Sequence, residues 1–384
     1  MKRAGLIITA LGFFLFAQVA QADWTPAKRL SLTSGFSAYP AIGVDSSGSL
    51  HVVWNEEMSG SSEIFHKKSS DGGATWTTSI RMTWTSGASQ VPAIAVGSSG
   101  NLYVVWQDDT PGNAEVYYKK STDGGATWTS GKRLSFTPAD SRDPAIAFDS
   151  SGNLHLVWWE DTRANSEIYY RKSTDEGATW TSGKKISLTG GASYAPAIAV
   201  DLSDNLHAVW TDTTDCIYEL YYAKSTVGGA TWTESKRITW SVGPSQFPAI
   251  VVDAFGNLNM GLQNYDAGNH EVYFKKSTDE GATWKANKRL TWNGGVSQSA
   301  AIAVDSPGNL HMVWDDDTPG NPEIYYRKST DGGATWTPSK WLSWASSDSY
   351  NPAIVSDSFG NLHVVWWAYI PGNVEVFYRR FIKE

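Results

Sequence analysis

Residues 144–187 read PAIAFDSSGNLHLVWWEDTRANSEIYYRKSTDEGATWTSGKKIS, and this stretch decides the architecture. Ala145–Phe148 is a short apolar run, and Asp149-Ser150-Ser151-Gly152-Asn153 after it has the composition of a turn. Leu154–Trp158 reads as a second strand, and Trp159–Ser166 as a polar loop. Glu167–Lys172 mixes polar and apolar positions as a half-buried strand does. Ser173–Trp180 is a tight turn, and Trp180–Ser187 a fourth strand. Four short antiparallel strands in one unit make a blade.

Outward from this unit the pattern repeats. Pro-Ala-Ile recurs at Pro40, Pro92, Pro144, Pro196, Pro248 and Pro352, with Ala300 replacing the proline once, and every step is 52 residues. A period of this size, filled with short strands and glycine turns, signals a propeller or a solenoid. The two ends decide between them. The seventh unit stops after its third strand, Glu375–Arg380, while residues 24–31 (WTPAKRLS) match residues 128–135 (WTSGKRLS), which belong to a fourth strand. The N-terminal strand therefore closes the last blade and leaves no open sheet edge. The expected fold is all-β: a seven-bladed β-propeller of four antiparallel strands per blade, spanning residues 23–384.

Residues 1–22 have the layout of a secretory signal peptide. Lys2 and Arg3 precede an apolar run, Leu6–Ala17, and Ala20-Gln21-Ala22 has the form of a cleavage site. The run is shorter than the ~20 residues that span a bilayer. The expectation is a chain secreted or periplasmic, with no membrane span after cleavage. The formal charge is −8, and −10 once Lys2 and Arg3 are removed. That balance argues against nucleic acid, which requires a basic face. Cys216 is the single cysteine, so no intramolecular disulfide and no cysteine metal site can form. With 20 Trp, 17 Tyr and 13 Phe the chain is not disordered.

Between third and fourth strands stands Ser-x-Asp-x-Gly-x-Thr-Trp, at Ser69–Trp76, Ser121–Trp128, Ser173–Trp180, Ser277–Trp284 and Ser329–Trp336. A sixth copy, Ser225–Trp232, has Val227 in place of the aspartate. This resembles the Asp-box, or BNR, repeat of the sialidase-like propellers. The resemblance covers the mature chain. It implies a structural corner, on the face opposite the active site, made by Asp71, Asp123, Asp175, Asp279 and Asp331 with Trp76, Trp128, Trp180, Trp232, Trp284 and Trp336. Chemically, such an aspartate accepts turn N–H groups and the tryptophan clamps the hairpin.

Sialidases of this kind also carry three arginines that clamp the substrate carboxylate, the first in a Phe/Tyr-Arg-Ile-Pro motif. No copy here has that motif. Arg142, before Asp143-Pro144, is the single arginine at the matching position. Arg29, Arg81, Arg133, Arg237 and Arg289 share one fourth-strand position, so the repeat accounts for them. Arg142 and Arg163 remain as loop arginines, one short of a triad, and the reading leans away from an enzyme. If the chain is one, a glycoside hydrolase or lyase, the irregular sector Arg142, Asp143, Arg163, Tyr194 and Asp212 is where its catalytic residues are expected.

Several residues recur in every blade. Glu63, Glu115, Glu167, Glu219, Glu271, Glu323 and Glu375 open the third strands, and a serine stands three before each inner proline position, from Ser37 to Ser349. Both rows are expected to satisfy backbone N–H groups between blades. His51, His155, His207, His311 and His363 form another row. One histidine per blade cannot gather the ligands zinc needs, so no metal site is expected. The acidic loops at Asp108-Asp109 and Asp316-Asp317 give a weak Ca²⁺ signal and no other cofactor is implied.

Trp84, Trp240, Trp292 and Trp344 end four of the fourth strands near the face where propellers bind ligands. They suit either core packing or stacking on sugar rings. With Trp159, Trp367 and Arg142 they are the candidate ligand-binding residues. The leading functional expectation is a non-catalytic, lectin-like propeller that binds a glycan or glycoconjugate through repeated top-face sites. A protein–protein interaction scaffold is the further alternative.

Overall fold

A computed structural model describes residues 23–58, 60–97, 99–162, 165–265, 268–343 and 348–383. Arg163 and Trp344 lie outside the described residues, as do residues 1–22, on which the expected leader falls.

The third unit folds as read, with longer inner strands and a shorter outer one. Ser141–Phe148, Leu154–Asp161, Ser166–Ser173 and Lys184–Lys185 pair in that order, all antiparallel. The outermost strand contributes two paired residues rather than the eight expected. The Asp-box turn occupies its beginning, and Ile186 N–H bonds to Ile168 carbonyl just past its end. Six more four-stranded sheets repeat this order, giving a seven-bladed propeller. In the seventh, Lys28–Arg29 pairs with Asn373–Phe381, and Trp24 bridges to Phe381. The ring is closed by the N-terminal strand.

The core lies between neighbouring sheets. Trp54, Trp106, Trp158, Trp210, Trp314 and Trp366, on six of the seven second strands, are buried, as are Leu262 at the same position of the fifth blade and the aliphatic residues that precede the tryptophans. Burying a side chain of this size removes about 150–250 Å² of surface, which is where a β-ring without helices finds its hydrophobic stabilisation.

The face carrying the first-to-second and third-to-fourth turns, the bottom, is held by a hydrogen-bond chain that crosses from blade to blade. In the third blade, Asp149 Oδ2 lies 3.2 Å from His155 Nε2, and His155 Nδ1 lies 2.8 Å from Tyr170 Oη. Tyr170 donates to Gly228 carbonyl in the next Asp-box at 3.2 Å. The same chain runs through Asp201, His207, Tyr222 and Glu280, and through Asp357, His363, Tyr378 and Gly72, which joins the last blade to the first. The histidine row is thus structural, each ring having a carboxylate on one nitrogen.

Each intact Asp-box is a closed turn. Asp123 Oδ1 accepts the Thr127 N–H at 2.9 Å and the Ser121 hydroxyl at 2.8 Å, and Gly125 N–H donates to Ser121 Oγ. Gly125 has φ 87°, and a side chain there would run into His66. The box tryptophan then packs edge-on against the previous blade: Trp76 on Tyr378, Trp180 on Tyr118, Trp232 on Tyr170 and Trp284 on Tyr222.

Candidate functional site

The top face carries the connections between blades and the second-to-third loops. Its repeated polar rows are bonded to each other. Arg81 donates to Glu63 at 2.7 Å, and Arg237 to Glu219 and Arg289 to Glu271 at 2.6 Å. Arg29 pairs with Glu375, Arg133 with Glu115 and Lys185 with Glu167. Fourth-strand hydroxyls of Ser31, Ser135, Ser187, Thr239, Thr291 and Ser343 also donate to these glutamates. The glutamate row therefore serves ion pairs and hydroxyls within its own blade, not mainly N–H groups between blades. Three of the serine row also bond within the blade, Ser89 to Asp108 and Ser297 to Asp316 at 2.6 Å, Ser193 to Asp212 at 2.8 Å, while Ser349 reaches Glu323 of the preceding blade at 3.4 Å.

This accounting separates the residues of the irregular sector. Asp212 belongs to the row just described, accepting from Ser193, Thr189 and Thr214. Arg142, Asp143, Trp159 and Tyr194 do come together. Arg142 sits opposite Trp159 in the sheet, Trp159 Nε1–H donates to Asp143 Oδ2 at 2.8 Å, and Tyr194 meets Trp159 edge-on at 5.3 Å. Arg142 itself pairs with Asp140 at 2.6 Å. Burial raises the Asp143 carboxyl above the ordinary carboxylate range, against the Trp159 hydrogen bond.

Asp143 occupies a special backbone position. Tyr39, Val91, Asp143, Ala195, Phe247, Ser299 and Asn351, one per blade, all have φ between 47° and 54°. None is glycine, and six precede proline, which ordinarily pushes its neighbour toward extended conformations. A β-bulge at this point in every first strand accommodates the turn. Four of the seven N–H groups are met from the preceding blade, by Asn55, Gln107, Thr211 and Asp315, at 3.1–3.4 Å. The consequence is a ring of seven non-identical residues lining a 640 Å³ cavity at the mouth of the axis. Strained backbone of this kind concentrates at functional sites.

Beside the mouth, between blades seven and one, a cavity of 1030 Å³ opens on the same face. Phe36, Met58, Phe65 and Tyr369 form its apolar wall, and Glu56, Glu57 and Asn373 contribute polar groups. Trp367 lies between residues of the cavity and of the mouth. Its ring lies 4.7 Å from Tyr350, 5.7 Å from Tyr369, 6.0 Å from Phe36 and 6.4 Å from Tyr39. Tyr350 Oη donates to Asp348 Oδ2 at 3.0 Å. On the neighbouring blade, the Asp315 carboxyl that accepts the Asn351 N–H is pushed up to about 6 by burial.

Of the predicted ligand-binding residues, Trp367 is in this cluster and 9% exposed. Trp84, Trp240 and Trp292 stand apart on the rim, 64–68% exposed, so core packing does not account for them. Each has a guanidinium near its ring: Arg81 at 5.6 Å, Arg237 at 5.9 Å and Arg327 at 5.7 Å. Sequence reasoning passed over Phe36, Tyr39, Tyr350 and Glu57. The signal was there, as large aromatics at positions where other copies carry small or polar residues. The tandem aspartates hold turns: Ala88 and Val296 N–H groups donate to Asp109 and Asp317, and Thr110 and Thr318 N–H groups to Asp108 and Asp316.

Fold and site together define a closed, seven-bladed Asp-box propeller with one irregular sector on its top face. The chain belongs to the BNR repeat-like domain family, whose sequence profile matches residues 100–364. A sialidase of Bacteroides fragilis is 24% identical over 308 residues, 67% of this chain and 55% of that protein. The chain thus spans about half the length of that curated relative. Among solved structures, an ulvan lyase bound to -[GlcA(1-4)Rha3S]- superposes with TM-score 0.70 at 11% identity, covering 91% of this chain and 95% of the lyase. The intramolecular trans-sialidase of Ruminococcus gnavus gives 0.52 at 13% identity, covering 90% and 94%. At these identities the likeness is one of fold.

Proposed function

We propose that the chain is a carbohydrate-binding propeller whose principal site is the aromatic cleft between blades seven and one, continuous with the axial mouth. The observation that carries this reading is the cluster Phe36, Tyr39, Tyr350, Trp367 and Tyr369 on an open cavity large enough for several sugar rings. Aromatic faces suit the C–H faces of sugars, and Asn373, Glu56 and Glu57 supply hydrogen-bonding groups for hydroxyls. The sialidase and lyase relatives support a carbohydrate ligand. The rim tryptophans Trp84, Trp240 and Trp292, with Trp344 at the equivalent position, would add weak contacts along a polymer, giving avidity. Secretion to the periplasm or beyond, as the leader suggests, would bring the protein to such polymers.

The reading leans to binding without turnover because Arg81, Arg237 and Arg289 are committed to glutamates and Arg142 to Asp140. A carboxylate clamp needs free guanidinium forks. Asp143 favours one second reading: its raised carboxyl beside Trp159 and Tyr194 has the character of a general acid. The test is a glycan array probed with the protein and with Tyr369→Ala, a residue 41% exposed and so removable without unfolding. Binding by the native chain that falls about tenfold or more in the variant is the expected result, as for a stacked aromatic worth ~1.4 kcal/mol. An array on which nothing binds would refute the reading, and progressive loss of a spotted glycan would favour the second.

A further inference from the structure

The cleft and the axial mouth share a charge character that selects among sugars. We infer that the site takes a glycan without anionic groups, and prefers one bearing protonated amino sugars over one bearing uronate, sulfate or sialate. This inference rests on the carbohydrate-binding reading and sharpens it.

The lining supplies the argument. No lysine or arginine lines either the cleft or the axial mouth among the described residues. Carboxylates do. Glu56 and Glu57 stand on the blade-one side of the cleft, Glu57 exposed and Glu56 buried against Ser37 and Trp54. Asp348 holds Tyr350 on the blade-seven side, Asp143 lines the mouth, and Asp315 lies behind Asn351. Arg142, the chain neighbour of Asp143 beside the mouth, is held by Asp140 at 2.6 Å, and Arg29 by Glu375.

An anionic ring entering this cleft would lose hydration and meet carboxylates without a compensating cation, which costs free energy at every step. A neutral ring meets only aromatic faces and hydrogen-bonding groups. An ammonium group gains the Glu57 carboxylate and the faces of Phe36 and Tyr369, to which cations are attracted. The net charge of the whole chain, negative before and after removal of the leader, adds a long-range bias of the same sign.

The experiment is titration calorimetry of the full chain with three hexasaccharides of matched length: β-1,4-glucosamine, β-1,4-N-acetylglucosamine and an oligouronate. The pH is set low enough to protonate the amine. Glucosamine is expected to bind at least about threefold more tightly than the acetylated chain, the scale of one exposed ion pair. The uronate should bind most weakly, and the glucosamine advantage should shrink with salt. Glu57→Gln should erase most of that advantage without altering affinity for the acetylated chain, and Glu57→Lys should narrow the deficit of the uronate. Uronate binding as tight as glucosamine, or a preference unmoved by either substitution, would overturn the charge inference while leaving carbohydrate binding intact. Failure of all three sugars to bind, with an array equally blank, would remove the underlying reading instead.

Discussion

The bottom and top faces of this ring are built from the same seven repeats and have opposite characters. On the bottom, blade is bonded to blade: in the third, fourth and seventh, carboxylate, imidazole, phenol and the next Asp-box carbonyl follow each other across the junction. On the top, the repeated rows bond within their own blade, and what faces the axis differs in every copy. Repetition there stops one residue before each inner proline position, where a left-handed bulge turns a different side chain into the mouth. Where the copies agree, the residues hold the ring together. Where they disagree, they line the mouth of the axis.

Trp180→Ala should break the bottom face most severely. The Trp180 ring is half-buried against Tyr118 of the preceding blade, and no other group fills that space. The expected loss is about 2–4 kcal/mol, toward the low end of buried tryptophan truncations, read by chemical denaturation. A change under about 1 kcal/mol would mean that the Asp-box tryptophan does not hold neighbouring blades.

A smaller effect of opposite sign is expected where the bottom chain is imperfect. Blade one has His66 where five of the others have a tyrosine, so His51 Nδ1 faces a second imidazole at 3.2 Å. Burial pushes His66 down to about 3, and His51, His155, His207, His311 and His363 are also lowered, chiefly by burial. The unfolded chain therefore takes up protons near pH 6.5 that the folded chain refuses. Stability from these groups is complete above that pH and declines as pH falls below it. The paired aspartates are lowered in the folded chain, Asp305 and Asp357 to about 2, so theirs declines further down, below the usual carboxylate value. His66→Tyr should restore the phenol, supply one hydrogen bond and remove the most reluctant imidazole. Thermal unfolding should rise by about 1–3 °C at neutral pH and by more at pH 5. An equal shift at both pH values would show that protonation of His66 does not contribute.

How much of this was legible in the sequence follows the same division. The bottom face, the blade count and the closure by Trp24–Ser31 could be read by sliding one unit along the chain, because there like contacts like. Pairing of the glutamate and arginine rows was equally available, since both recur in register, yet each was read alone. The aromatic cleft was not legible that way. Phe36, Tyr350, Trp367 and Tyr369 occupy non-equivalent positions at opposite ends of the chain, and only ring closure brings them together. Nor does an apolar residue at one position of several copies reveal whether it faces inward. Met82 and Thr83 are buried and Trp84, next in line, is 68% exposed.

The smallest structural effect should come from the top rim, and it completes the comparison. Trp240 is 68% exposed and its ring lies 5.9 Å from the Arg237 guanidinium, which keeps its bonds to Glu219 at 2.6 Å and Asp215 at 2.8 Å whether or not the ring is present. Trp240→Ala leaves no cavity, because solvent already covers most of the ring, and it strands no buried polar group. Its effect on unfolding should stay within about 0.5 kcal/mol, although the residue lost is the same as at Trp180. Affinity for a long glycan should fall more than affinity for a short one, since a rim platform is reached only by a chain that extends beyond the cleft. Equal destabilisation by Trp180→Ala and Trp240→Ala would assign the rim aromatics to the scaffold and end the distinction between the faces. Unchanged stability with unchanged affinity for every chain length would confine the ligand to the cleft.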